Sequence, residues 1–252
     1  MFAEAEENNL SEKVMNERAS RWYACGLCEQ KYHGVVLCAL SWACWKTYVG
    51  QPEAYEPRQM AMSVLGAGLS AVGNHEESLS VKEAELSRMR RLGASQHNIL
   101  AAQSNLAITY DKLGRCEEAL HMREDVYSVA LRLFGGEHRS SLVAAKNYAM
   151  LLRKVSRFEE AKSLMRKAVP VARRVLGDSH DLTLSMRSVY ADALWLDPAA
   201  TLDDLREAVT ALEDVERIAR RVLGGAHPNV AAFEKSLRDA RATLRARETP
   251  NA

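Results

Sequence analysis

The residues best equipped for chemistry in this chain are its cysteines and histidines. Cys25 and Cys28 form a Cys-x-x-Cys pair within "SRWYACGLCEQKYHGVV", and with His33 and Cys38 they could make up four ligands. That would be zinc chemistry, since thiolate sulfur and imidazole nitrogen are the donors of a tetrahedral structural zinc. Against it, the chain from Val35 onward reads as a helix, and Cys38 and Cys44 have apolar neighbours. In such surroundings free cysteine serves as a small buried residue. The five cysteines are odd in number and unevenly spaced, with Cys116 alone. This argues against a disulfide framework and for a reducing compartment.

A second set, His97, His138, His180 and His227, ends the segments "RLGASQH", "LFGGEH", "VLGDSH" and "VLGGAH". Spaced one repeat apart, neighbours would stand roughly 10 Å from each other at ordinary helix packing distance. No two could share an ion, so a capping or packing role in the loop is expected. The chain has no His-Glu-x-x-His helix, no glycine-rich phosphate loop after a strand and no nucleophile elbow. No catalytic constellation is visible, so neither an enzyme nor a cofactor is expected.

The elements that carry these residues recur. "NLAITYDKLGRCEEAL" from Asn105 returns as "NYAMLLRKVSRFEEAK" from Asn147, 42 residues later. An earlier copy begins at Leu65, and a fourth begins "YADALWLD" at Tyr190, with about five residues inserted near Pro198. Between linkers, each unit reads as two helices. Ala208, Ala211, Val215, Ile218 and Val222 trace one helical face, and so do Ala161, Leu164, Ala168, Val171 and Val175. Thr201 is expected to cap the helix that follows it, and Pro170 to bend the one that contains it. Gly93, Gly135, Gly177 and Gly224 fall where left-handed C-caps belong. Small residues mark places of close helix approach: Gly66, Ala107, Ala149 and Ala191 in first helices, Ala119, Ala161 and Ala208 in second helices. "GAG" at Gly66–Gly68 reads as packing, and Trp42 and Trp45 are expected to pack the N-terminal helix on the first repeat.

This pattern resembles the tetratricopeptide repeat. The 42-residue period and the linker "GGAHPNVA" (Gly224–Ala231) are similar to those of kinesin light chains. The resemblance covers roughly Met60 to Glu248. It implies an all-α, right-handed solenoid of about four helix pairs, with an N-terminal helical cap and a C-terminal capping helix. The corresponding division is an N-terminal segment 1–58, a repeat domain 59–248 and a tail 249–252 expected to fray.

Apolar residues make up 47% of the chain and charged residues 27%, with a formal net charge of +1. A soluble fold is expected, and a nucleic-acid partner is not. "VVLCALSWACWKTYV" (Val35–Val49) is too short to span a membrane, and "MFAEAEENNL" has no signal-peptide character. A cytoplasmic protein is the expectation. Basic runs such as "RMRR" (Arg88–Arg91) end second helices, where they complement the helix dipole.

In arrays of the resembled kind, first helices line a concave surface that holds a partner's peptide. The positions that would face it here are Ser104, Asn105, Ile108, Asp111 and Lys112, then Lys146, Asn147, Met150, Arg153 and Lys154, then Ser188, Asp192 and Trp195. Asn105 and Asn147 stand where the resemblance implies an amide holding a peptide backbone; the alternative is that they bond neighbouring helices. A non-enzymatic scaffold or adaptor for a protein partner, with an acidic segment favoured, is the reading. Kinesin-light-chain-like cargo adaptation is one form of it.

The Cys25–Cys28 segment, with Trp22 before it and Tyr32 after it, resembles the closing pair of a RING-CH zinc finger. This implies a second reading, a truncated ubiquitin ligase whose repeats recruit substrate. Residues 1–24 hold no Cys or His to supply the earlier ligands. Purified protein is therefore expected to carry no stoichiometric zinc. Elemental analysis giving one or more zinc per chain, lost on Cys25→Ser, would promote the ligase reading.

Overall fold

The computed structural model describes residues 21–25, 27–28 and 30–249. The first 20 residues and most of the 249–252 tail lie outside them. Ten α-helices are present among the described residues: α1 Gly34–Tyr48, α2 Glu56–Ala71, α3 His75–Arg91, α4 Gln96–Lys112, α5 Cys116–Phe134, α6 Arg139–Lys154, α7 Phe158–Leu176, α8 Asp181–Trp195, α9 Leu202–Leu223 and α10 Pro228–Glu248. The only extended pairing among those residues is an isolated antiparallel bridge between Ala24 and Lys31. By internal contacts the chain forms two compact units, Met1–Ala119 and Leu120–Ala252, with α5 running through the division.

In the first unit, α1 packs on α2, α2 on α3 and α3 on α4. The α1–α2 contact depends on a missing side chain. A Cβ on Gly68 would lie 3.1 Å from the Cys38 Cα and closer still to Ser41. Ser41 is fully buried there, its hydroxyl turned back onto the Cys38 carbonyl at 2.7 Å. The "GAG" run is thus a packing feature. Cys44, Tyr48 and Ala61 form a small core with Trp45, Trp22, Tyr55 and Met60 against it. Trp45 therefore packs as expected. Trp42 does not: it is 44% exposed, because the seam of α1 runs through Ser41 and Cys44 and leaves Trp42 to one side.

In the second unit, α6, α7, α8, α9 and α10 pack in succession, and the first helices also touch directly, α6 on α8 and α8 on α10. The small residues do what their positions predict: Ala149, Ala191, Ala161 and Ala208 are fully buried. The main core stripe of each second helix is shifted from the one read off the sequence. It runs through Ala161, Met165, Ala168 and Ala172 in α7, and through Ala208, Leu212, Val215 and Ala219 in α9. Val175 and Val222, which close the expected stripes, are 42% and 49% exposed. Both α7 and α9 are packed on two sides, so the apolar face is wider than one stripe, and in the last turn Leu176 and Leu223 rather than Val175 and Val222 meet the core.

The helix ends explain the linkers. His138, His180 and His227 are N-caps: the Nδ1 of each accepts the backbone N–H two residues on, at 3.1, 3.1 and 3.2 Å. This satisfies one of the orphan donors of a helix start. The first linker differs. Ser95 is the cap of α4, accepting from Asn98 N–H at 3.3 Å, and His97 lies inside the helix. Gly177 and Gly224 end α7 and α9 with φ 91° and 83° but ψ 160° and 149°. The expected left-handed cap is replaced there by an extended, positive-φ conformation open essentially to glycine alone. Thr201 caps α9 in a reciprocal capping box with Asp204, and Pro170 sits inside α7.

The inserted residues near Pro198 are tied down from two helices. Lys162 Nζ meets Asp197 Oδ2 at 2.9 Å, and Arg247 donates to the Pro198 and Ala200 carbonyls. Lys162, with its hydrogen bond, is the first cause holding the Asp197 carboxyl below its usual range.

Gly68→Ala tests the α1–α2 seam. Overpacking of this kind costs about 1–3 kcal/mol, so the variant should denature at measurably lower urea. An unchanged midpoint would show that α1 is not held by that contact.

Candidate functional site

The positions expected to meet a partner fall on solvent-facing stripes of first helices. On α4, Ala101, Asn105, Ile108 and Lys112 are exposed while Leu106, Ala107 and Thr109 are buried. On α6 the equivalent positions, 42 residues on, are Val143, Asn147, Met150 and Lys154; Met150 and Lys154 are exposed, Asn147 is half-buried and Val143 packs against the core. Ile108 and Met150, at equivalent positions, are 46% and 41% exposed. An apolar side chain is thus held in water at the same place in two repeats. The two stripes belong to different compact units.

Neither Asn105 nor Asn147 has its side-chain amide hydrogen-bonded to any described residue. Thr109 does donate to the backbone carbonyl of Asn105, at 3.3 Å, which leaves the Asn105 amide itself unengaged. An amide can donate and accept together, the need of a peptide group. Lys146, next to Asn147, is half-buried. Burial first, then Arg123, lowers its affinity for a proton, while Asp181 raises it.

Arg153 and Asp192 are engaged with each other. Arg153 Nη1 on α6 meets Asp192 Oδ2 on α8 at 2.6 Å. The other carboxylate oxygen accepts from Trp195 Nε1 at 3.1 Å and from the Ser236 hydroxyl on α10. One carboxylate therefore joins α6, α8 and α10, a role that sequence spacing did not reveal because Ser236 lies in the closing helix. Ser188, expected on the same face, is buried.

The Cys-x-x-Cys pair sits in a small hairpin. Cys25 N–H donates to the Gln30 carbonyl at 2.8 Å, and Tyr32 N–H to the Tyr23 carbonyl at 2.9 Å. The backbone N–H groups of Cys28 and Leu27, then the Cys28 thiol, hold the Cys25 thiol below its usual range. Cys44 is a core cysteine, and burial pushes its thiol up to about 12. Among the described residues no three or more of His, Cys, Asp and Glu gather as a metal site. No helix among them is long and apolar enough to cross a membrane.

Comparison with known proteins fits this geometry. A tetratricopeptide-repeat family model matches residues 58–132 and 98–173. No curated protein sequence matches. Solved structures share the fold. One is a variant form of the nearly identical TPR-like repeats from Podosopora anserina assigned to kinesin light chain: 24% identity, 76% of this chain and 88% of that one, TM-score 0.63. Another is BtubC (BKLC) of P. vanneervenii: 18% identity, 84% and 90% coverage, TM-score 0.61. A third is a Rap protein complexed with competence and sporulation factor: 16% identity, 83% and 58% coverage, TM-score 0.51. Residues 58–173 thus match tetratricopeptide repeats, and the fold is a helical solenoid like that of the kinesin-light-chain-type structures. The RING-CH resemblance finds no support in these comparisons, and the matched residues of the family model begin after the Cys-x-x-Cys hairpin.

Asp192→Ala should remove the join between three helices and leave Arg153 without its carboxylate, while Trp195 keeps only the longer bond to the Ser236 hydroxyl at 3.4 Å. Unmade buried bonds cost about 1–3 kcal/mol. A urea midpoint within error of the parent would show that the network adds no net stability.

Proposed function

We propose that the protein is a non-enzymatic cytoplasmic scaffold that binds a segment of a partner protein along its first-helix face. The observation that carries this reading is the state of Asn105 and Asn147. Equivalent positions in successive repeats present amides that bond to no described residue, each followed by an exposed apolar side chain, Ile108 or Met150. Amide to backbone and apolar residue to side chain is a mode that suits an extended peptide. The structural alternative, that both Asn tie neighbouring helices together, lacks the hydrogen bonds it needs. The Rap protein of similar fold was crystallised with competence and sporulation factor, which supports a binding role for such a surface.

An acidic partner segment fits Lys146, whose half-buried ammonium is opposed by burial and by Arg123 and favoured by Asp181. A carboxylate placed there offsets the burial cost. Lys112 extends the positive edge, while Arg153 contributes little because Asp192 already neutralises it. Cargo adaptation of the kinesin-light-chain type is one form this function takes.

Affinity purification with mass spectrometry supplies the partner, and titration of its binding segment supplies the test. Each lost hydrogen bond is worth roughly 0.5–1.5 kcal/mol. Asn105→Ala with Asn147→Ala should therefore weaken binding about 5- to 100-fold, with Tm nearly unchanged. Raised salt should weaken it further, since such charges are screened over about 8–10 Å. A Tm many degrees lower with binding intact would make both Asn structural.

A further inference from the structure

The corner where the 49–55 loop meets α2 and α3 holds more guanidinium than carboxylate. Arg88 is only 4% exposed. Its Nη1 donates to the Glu53 carbonyl, and Arg91 Nη2 pairs with the Glu53 carboxylate at 2.6 Å. Arg58 Nη1 donates to the Gln51 carbonyl at 2.5 Å, with its guanidinium 6.0 Å from the centre of the Trp45 ring. These contacts pin the loop, but they leave Arg88 Nε, Arg88 Nη2 and Arg58 Nε buried with no acceptor among the described residues.

Neighbouring carboxylates do not fill the gap. Glu53 is committed to Arg91, whose hydrogen bond is the first cause drawing its carboxyl down. Glu85, one turn before Arg88, is held by the Ser63 hydroxyl, and burial pushes its carboxyl up toward the neutral form. Burial is the first cause disfavouring the charge on Arg88; Glu85 and Glu53 favour it from nearby, and Arg58 and Arg91 oppose it, but neither carboxylate bonds its Nε or Nη2.

The two open donors of Arg88 are not scattered. Nε–H and Nη2–H lie on one edge of the planar guanidinium, the fork that matches two oxygens of a carboxylate or phosphate. The same chain uses that edge twice elsewhere. Arg157 grips Glu160 with Nε and Nη2 at 2.5 and 2.6 Å, and Arg173 grips Asp178 at 2.5 and 3.2 Å. At Arg88 the fork is built and buried but has no anion bonded to it among the described residues. Leaving charged donors unpaired away from water is costly, and a bridging water would satisfy a donor without balancing the charge.

We propose that this corner is an oxyanion site, in which the Nε/Nη2 edge of Arg88 grips two oxygens of a carboxylate or phosphate group and Arg58 Nε supplies a third donor. The site uses no residue of the amide stripes and does not rest on the peptide-binding reading.

The test is thermal denaturation of the full chain at pH 7 and constant ionic strength, with sodium chloride replaced stepwise by sodium phosphate or by sodium acetate. Either anion should give a rise in Tm that grows with the logarithm of its concentration above Kd, about 3–6 °C at ten times its Kd for a chain of this size. Phosphate acting at lower concentration marks a phosphate site, and acetate a carboxylate site. Arg88→Lys keeps the charge and a donor for the Glu53 carbonyl but has no fork, so the rise should vanish. Arg58→Gln, which leaves Arg88 in place, should raise the Kd about tenfold or more, and it carries the test if Arg88→Lys does not fold. No rise over chloride with either anion, or a rise unaltered in the folded variants, overturns the proposal.

Discussion

The constraint on which everything else depends is that two helices of a pair must approach closely enough to share one core. The side chain at the point of closest approach is alanine or glycine in each repeat: Ala107, Ala149 and Ala191 in first helices, Ala119, Ala161 and Ala208 in second helices, all at most 1% exposed. A pair so joined still has a bare apolar flank, which only the next pair can cover. The cluster of Leu142, Ala145, Ala149, Met165, Ala168, Leu182 and Met186 shows this directly, drawing on three successive helices of the second unit. Gly68 applies the same rule to the N-terminal helix, where even a methyl group has no room beside Ser41.

Because stacking fixes the helices, the connections are free to vary, provided that each orphaned backbone group finds a partner. Three linkers use an imidazole as acceptor at the helix start and one uses serine instead. The turn within each repeat uses Gly73, Gly114 and, in the third repeat, Ser156, which holds φ 63° in place of glycine. The longer connection after α8 is accommodated by ionic ties, with Asp197 reaching Lys162 at one side and Arg247 closing the other. In each case a different residue does the same electrostatic work.

Packing on two flanks leaves each first helix one polar stripe, and what that stripe carries decides its use. Around Asp192 the charges satisfy one another and join three helices. At Asn105 and Asn147 the amides are left open. The contrast separates part of the face that serves cohesion from part that can serve recognition. A second contrast stands at the N-terminal corner: Arg157 and Arg173 have their carboxylates, whereas the fork of Arg88 has none among the described residues.

The sequence by itself determined the repeat, its period, the helix pairs, the small residues at their contacts, the glycine stops and the Thr201 cap. These depend on neighbours a few residues apart or on identities that recur one repeat later, and both can be read from a string. Only the tertiary structure decided that Trp42 stays in water while Trp45 packs, because the seam of α1 is set by where Gly68 lets it touch. It likewise decided that the core stripes of α7 and α9 run through Met165 and Leu212, that Arg153 is spent on Asp192, and that Arg88 is buried with an open fork. Each of these depends on which side chains from distant segments compete for one partner or one volume, and periodicity along a single helix holds no record of that competition.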